Sequence, residues 1–280
     1  SIKARAGSDE KEVEILRIVK EKYFNFSTVG DRQDDFTKTK AIIITKKIEL
    51  CNATIIESPE ALANLNYFLV AWDRSDLIRK THFIPNPVTP EFVEGEIGKK
   101  ENLAVALGRW EDYTVKNPAV MVETVVNFLT QRQDYCFMIF GSGTDQVNRL
   151  LESAPQSVRD RITVLGFIEH EKVQEKLKNA KMLFVPSRWE SFSIASAEAL
   201  CTGCSIVGTP AEALRYQSMQ GFSGSISATF DKKAILAALL QDAVKWDQGK
   251  YDQEKIATYW RTILNRKSVA KTIENLAKIS

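Results

Sequence analysis

Four charged side chains stand where charge chemistry can be organised. Glu190 and Glu198 lie eight positions apart within Phe184 to Ile206, and Arg109 and Lys116 lie seven apart further upstream. A carboxylate accepts hydrogen bonds from hydroxyl groups. A guanidinium makes a forked contact with an oxyanion, and an ammonium meets it as a point charge. Around the two Glu, the sequence reads as a buried strand ending near Val185, a short polar turn, a helix from about Phe192 to Gly203, and a new strand at Ser205. A strand, loop and helix in this order turn unpaired backbone N–H groups out of the carboxyl edge of a sheet, which suits an anion. Taken alone, the two Glu also fit plain helix-dipole stabilisation, and Arg109 and Lys116 fit two surface cations.

The elements that must position these residues follow from apolar spacing. Short apolar runs at Leu103–Leu107, Cys136–Phe140, Ile162–Leu165, Leu183–Val185 and Ser205–Gly208 read as strands. Helical stretches separate them at Val122–Leu129, Asp145–Leu151 and Lys172–Lys178. That alternation implies a parallel, doubly wound α/β sheet. Upstream, Asp9 to Phe24 has helical spacing through Val13, Leu16 and Val19, Phe26 to Phe36 is polar and turn-like, and Lys40 to Leu50 is helical again. Ala53–Glu57 reads as a strand. Ser58-Pro59-Glu60 then supplies an N-cap, a first helical residue and a first-turn acid for a helix through Leu62, Leu65 and Leu69. His82 to Val88 is a strand running into a proline-punctuated linker. The tail from Gln253 to Ile279 reads as a closing helix pair.

The chain has 280 residues and a formal net charge of +2. It is long enough for one large or two modest domains, and no apolar run reaches membrane-spanning length. Charge is spread without an aromatic-interleaved basic patch, which argues against nucleic acid as a partner. The tail residues Arg261, Arg266, Lys267 and Lys271 suit a solvated face or contact with an anionic membrane surface. Of Cys51, Cys136, Cys201 and Cys204, three sit in apolar segments, as expected of reduced, buried thiols in a cytoplasmic protein. Cys201-Thr-Gly-Cys204 ends a helix rather than starting one, which favours a structural role over a redox site. No second ligand pair completes a metal site. His82 and His170 each stand isolated, so no histidine-based triad is expected. Asp31, Asp34 and Asp35 read as a solvated loop. Gly141-Ser-Gly143 fails the dinucleotide fingerprint because its third position is Gln146, and reads as a tight turn.

The passage from Phe184 to Ile206 resembles the Glu-x7-Glu motif of the retaining group 1 glycosyltransferases, whose GT-B fold has two Rossmann-like domains. Ala197-Glu198-Ala199-Leu200-Cys201-Thr202-Gly203-Cys204 continues the pattern, as does Ser205-Ile206-Val207-Gly208-Thr209. Leu107-Gly108-Arg109-Trp110 and Lys116-Asn117-Pro118 are similar to the family's diphosphate-gripping loop. Gly208-Thr209-Pro210-Ala211-Glu212 is similar to its Gly-rich loop on the cleft side. The resemblance runs from about Ala53 to Ile235 and implies a role for each matched position. Arg109 and Lys116 grip the diphosphate of a nucleotide sugar beside Gly108. Glu198 holds the ribose hydroxyls, and Glu190 stands beside the hexose. The N–H groups of Phe192, Ser193, Ile194 and Ala195 face sugar and phosphate, and Gly166 lets the base lie close to the backbone. The family has Phe-Gly where this chain has Phe192-Ser193, so a positive φ there would cost Ser something that Gly avoids.

The expectation is therefore a hexosyltransferase using a nucleotide-diphosphate sugar, with no further cofactor and no metal, and with a glycan or lipid-linked acceptor. Residues 1–95 are expected as a partial acceptor-side domain and linker, 96–250 as the donor-binding domain, and 251–280 as helices packing back across the domains. Only the last part of an acceptor domain precedes Asn86, so the chain reads as truncated or as completed by a partner chain. The alternative is a sugar-nucleotide-binding module that is inactive alone. Localisation is expected to be cytoplasmic or peripheral at a membrane.

Overall fold

The structure, a computed structural model, describes residues 32–279. The helix expected at Asp9–Phe24 lies outside the described residues, as does Asp31. By its contacts the chain divides into two units, Pro85–Thr272 and the remainder up to Ile84 together with residues from Ile273.

Among the described residues the smaller unit runs α1 (Arg32–Leu50), β1 (Thr54–Ile56), α2 (Pro59–Ala71) and β2 (Thr81–Phe83). The stretch expected as a turn up to Phe36 is thus helical from Arg32. A polar, acid-rich first turn suits a helix start while carrying no apolar period to reveal it. β1 and β2 pair in parallel, and Ile84 N–H extends the ladder by donating to Ile56 O at 3.1 Å. Ser58 caps α2 as its sequence implies, its Oγ accepting from Ala61 N–H at 3.2 Å, with Pro59 opening the helix. Ala41, Ile48, Phe68, Leu69 and Leu77 form this unit's core.

The larger unit holds a six-stranded sheet. Its chain order is α3 (Pro90–Glu94), β3 (Glu101–Arg109), α4 (Pro118–Gln131), β4 (Cys136–Ser142), α5 (Thr144–Leu151), α6 (Gln156–Arg159), β5 (Ile162–Val164), α7 (His170–Asn179) and β6 (Ala180–Val185). It continues with α8 (Ile194–Cys201), β7 (Ser205–Gly208), α9 (Glu212–Ser218), β8 (Gly224–Ile226), α10 (Lys232–Asp247), α11 (Gln253–Leu264) and the start of α12 (Arg266–Ile279), whose residues from Ile273 belong to the smaller unit. Every strand pairing is parallel, in the order β5-β4-β3-β6-β7-β8. α3, α6, α9, β8 and α10 were not foreseen in the sequence, and α8 is shorter at both ends than expected.

Alternate residues of each central strand feed opposite layers, which is how a doubly covered parallel sheet buries both faces. Val105, Leu183, Val185 and Ile206 pack with residues of α7, α8 and α11, including Leu177, Leu200, Ile256 and Trp260. Ala104, Ala106, Met182, Phe184 and Val207 pack on the other face with Val125, Phe128, Val147, Ile235 and Leu239 from α4, α5 and α10. Lys100 ties the first layer together. Its Nζ donates to Thr202 O at 2.8 Å, Lys178 O at 3.1 Å and Leu177 O at 3.3 Å, capping the carbonyl ends of two helices with one side chain. Cys201 and Cys204 are buried free thiols, whereas Cys136 is exposed because it opens β4 at the sheet margin. Burial pushes the Cys201 thiol up to about 12, consistent with a packing role. No helix among the described residues is long and apolar enough to cross a membrane.

A polar cluster sits at the amino edge of β7 and β8. Asp242 of α10 is fully buried and accepts from Ser205 Oγ at 2.5 Å and from Tyr251 Oη at 2.5 Å. Trp246 Nε1 donates to Ser205 Oγ at 2.9 Å, and Lys245 Nζ donates to Ser225 Oγ at 3.0 Å. Burial drives the Asp242 carboxyl from 3.8 up to about 6, only partly opposed by Ser205 and Tyr251. A raised carboxyl contributes its full stability below the unfolded value and loses it as pH rises through the folded value. The loss here is about 3 kcal/mol and is complete above about pH 6. We expect the melting temperature of Asp242→Asn, relative to the unchanged protein, to climb between pH 4 and pH 7 and then level off. A difference independent of pH in thermal denaturation would show that Asp242 does not titrate in this window.

Candidate functional site

The strand order reverses between β3 and β6. β3 hands the chain to β4 on one side, and β6 hands it to β7 on the other. Their carboxyl ends therefore open a crevice that no crossover fills, the usual ligand site of such sheets. Arg109 is the last residue of β3 and is exposed; Glu190 follows β6 by five residues.

The two loops at this point are joined. Arg188 N–H donates to Val115 O at 2.8 Å, and Lys116 Nζ donates to Glu190 Oε1 at 2.6 Å. The side chains of Lys116 and Glu190 are only 20% and 11% exposed. A charge pair this shielded from water keeps much of its attraction. The first loop is shaped by Asp112, whose Oδ1 accepts from Val115 N–H at 3.0 Å. Asn117 then turns the chain into α4 with φ 52°, and Pro118 opens the helix. Gly108 lies against Trp110: a Cβ there would come within 3.2 Å of the indole. That indole is buried and donates to Phe140 O at 3.1 Å.

The second loop enters α8 through Ser193, which has φ 62° and ψ 78°. Phe192 and Ser193 therefore precede the helix rather than begin it, and α8 starts at Ile194. The strain falls where the chain has Ser instead of Gly. Ser193 Oγ and Ser196 Oγ share a hydrogen bond of 2.6 Å, and Gln217 Nε2 donates to Phe192 O at 2.7 Å. These contacts offset the cost of a left-handed non-glycine residue, about 1 kcal/mol. From below, Thr209 Oγ1 donates to Ser187 O. Phe192 is buried, whereas Ile194 and Trp189 are 43% and 64% exposed.

Glu198 sits on the first turns of α8 with its side chain 7% exposed. Burial raises its carboxyl above the ordinary range, and His170 opposes that shift. His170 opens α7, and its Nε2 lies 2.7 Å from Glu198 Oε1, within hydrogen-bond distance. The sequence expectation that His170 is isolated is corrected here: its partner lies 28 positions away. Nothing in the local sequence signals this contact, because only the return from α7 through β6 to α8 creates it.

Gly166 ends the β5 edge in open space, since a Cβ there would meet nothing closer than Thr144 Oγ1 at 4.0 Å. Beside it, Gly141 has φ 125°, and a Cβ would lie 1.9 Å from Gly108 O. No side chain fits there, so Gly141 lets β4 pair closely with β3 at its carboxyl end; Gly141 and Ser142, expected as part of a tight turn, are the last residues of the strand, and Gly143 turns the chain into α5. Arg109, Lys116, Glu190 and the Ser193 turn thus follow the carboxyl ends of β3 and β6, Glu198 lies on the helix that the second loop enters, and Gly166 follows β5.

The model of the family described as glycosyl transferases group 1 matches residues 88–242, more than half of the chain. The chain belongs to the group 1 glycosyltransferases. An uncharacterised glycosyltransferase, YqgM of Bacillus subtilis, is 26% identical over 205 residues, covering 72% of this chain and 54% of that protein. This glycosyltransferase-family chain thus spans about half the length of that relative. Among solved structures, sucrose-phosphate synthase from Thermosynechococcus elongatus is similar with a TM-score of 0.64 at 17% identity, over 89% of this chain and 63% of that one. The pneumococcal O-GlcNAc transferase GtfA, in complex with UDP and GlcNAc, has a TM-score of 0.64 at 15% identity, over 85% of this chain and 47% of that one. These likenesses agree with the α/β, GT-B-like fold expected from the sequence.

The Ser193 turn yields a test within this glycosyltransferase-family chain. In a Ser196→Ala background, which removes the compensating hydrogen bond, Ser193→Gly is expected to stabilise the protein by about 1 kcal/mol. The same change alone should give a smaller gain in chemical denaturation. Equal gains in both backgrounds would show that the Ser193–Ser196 contact offsets nothing.

Proposed function

We propose that the chain supplies the donor side of a retaining glycosyltransferase, moving a hexose from a nucleotide-diphosphate sugar to an acceptor hydroxyl. The observation that carries this reading is the Lys116–Glu190 pair across the switch point, with Arg109 at the end of the adjoining strand. A diphosphate leaving group gains negative charge as the glycosidic bond breaks, and fixed cations meet that charge without reorganising. Arg109 is exposed and free to fork onto phosphate oxygens. Lys116 has further N–H donors beyond the one given to Glu190. Glu190, fixed by Lys116, stands where a hexose hydroxyl would meet it. Glu198 takes the ribose hydroxyls, and the N–H groups from Phe192 to Ala195 face sugar and phosphate. Gly166 leaves room for a base.

In this reading the acceptor oxygen bonds to the anomeric carbon on the face from which the phosphate leaves. The carbon–phosphate oxygen bond breaks, and the acceptor proton passes to the departing phosphate. Arg109 and Lys116 supply the positive charge, so the reading calls for no metal and no cofactor. The acceptor is a glycan or lipid-linked hydroxyl. A partner chain or the remainder of a longer protein contributes the acceptor side, in keeping with the half-length coverage of the relative. A uridine nucleotide is the first donor to try, because the similar pneumococcal structure holds UDP.

Calorimetry of the full chain with UDP, GDP and ADP tests the reading. One of them is expected to bind, and Arg109→Ala and Lys116→Met are each expected to weaken it by at least about tenfold. Glu190→Gln should leave diphosphate affinity within about threefold while abolishing transfer or hydrolysis of the matching nucleotide sugar. Binding without turnover in the unchanged protein would favour a sugar-nucleotide-binding module. Failure of all three nucleotides to bind at millimolar concentration would overturn both.

A further inference from the structure

His170 is a site neighbour whose chemistry the reading above leaves unused. Its Nε2 stands 2.7 Å from Glu198 Oε1, and the Glu198 side chain is 7% exposed while that of His170 is 45% exposed. Among the described residues no other side chain is recorded in hydrogen-bond contact with the Glu198 carboxyl, so its Oε2 carries no such donor. The imidazole also packs against an aromatic ring. Its ring centroid lies 5.0 Å from that of Phe92, at an interplanar angle of 54°, and Phe92 is fully buried. His170 also begins α7, so its backbone is fixed by the helix that packs Val173 and Leu177 into the core. The ring thus packs on a buried aromatic neighbour and, among the described residues, has one side-chain hydrogen-bond partner.

A carboxylate receives two vicinal hydroxyls well only if it is ionised and held in one orientation. A carboxyl this buried is left in neither condition by its own helix: burial favours the neutral form, and a Glu side chain has several rotamers to choose from. With its proton on Nε2, His170 places one fixed donor on Oε1, which meets both needs and leaves Oε2 and the second lone pair of Oε1 for a ligand. We propose that His170 is a positioning residue for Glu198, holding its carboxylate for the 2′- and 3′-hydroxyls of the donor's ribose. This rests on the assignment of Glu198 to the ribose made above. His170 itself meets neither the diphosphate nor the reacting carbon.

The test pairs each ligand with a version lacking one hydroxyl. Calorimetry of the full chain measures UDP, GDP or ADP, whichever binds best, against its 2′-deoxy form. The unchanged protein is expected to prefer the ribose form by about tenfold, the usual worth of a charged hydrogen bond. His170→Ala is expected to reduce that preference to within about twofold while leaving affinity for the 2′-deoxy form within about twofold. His170→Gln keeps an N–H donor and should restore most of the preference. A general loosening of the fold would weaken both ligands alike, so a ratio that falls at constant 2′-deoxy affinity isolates positioning from structure. If His170→Ala retains the tenfold ratio, or binds the ribose form more tightly than before, the proposal is overturned. If the unchanged protein shows no preference between the two forms, the ribose assignment of Glu198 fails first. Should His170→Ala not fold by circular dichroism, the comparison of His170→Gln with His170→Phe carries the same decision, a donor against a ring without one.

Discussion

The side-by-side pairing of β3 with β6 is the constraint on which the rest of the larger unit depends. Parallel strands need long crossovers, so every strand must point its carboxyl end to the same edge. Where the order reverses, the two crossovers leave in opposite directions and cover neither side of the gap. The loops after β3 and β6 have no helix between them and close on each other instead, through Arg188 to Val115 and Lys116 to Glu190. Opposite charges at that spot are thus a product of topology as much as of residue type. Moving either strand by one place would separate the ammonium from the carboxylate.

The two acids of the motif are treated differently by the fold. Glu190 lies in a loop and finds a full cation within 2.6 Å. Glu198 lies in a helix packed into the apolar layer with Leu200 and Phe192, and meets an imidazole at the protein surface. Burial dominates the environment of Glu198 and raises its carboxyl. A pair of carboxylates with distinct surroundings can divide holding and charge work between them.

Much of this was legible in the sequence, and the omissions have physical causes. The central strands are unbroken apolar runs because both faces are covered, and Leu103–Leu107 and Leu183–Val185 stand out for that reason. The cost of Ser193 was readable because a Gly position held a residue with a Cβ, and the backbone there has the positive φ. β8 was not readable: Gly224-Ser225-Ile226 is three residues long and is a strand only because β7 lies beside it. α10 carries a buried Asp242 in the middle of its apolar face, which blurs the period that announces a helix. α3 is five residues and shows only as a proline after a threonine. His170 could not be found from the sequence, because its meaning lies in a contact between two helices separated by a whole strand.

The polar cluster around Asp242 gains a wider significance from where it sits. Ser205 begins β7 and Gly208 ends it, so about 10 Å of strand separates the cluster from the edge that carries Glu190. The sheet thus keeps this buried carboxyl at one rim and the Lys116–Glu190 pair at the other. Selection, or an engineer, can harden this protein at neutral pH by altering α10 and the start of β7, with no change to the groups that would hold a nucleotide.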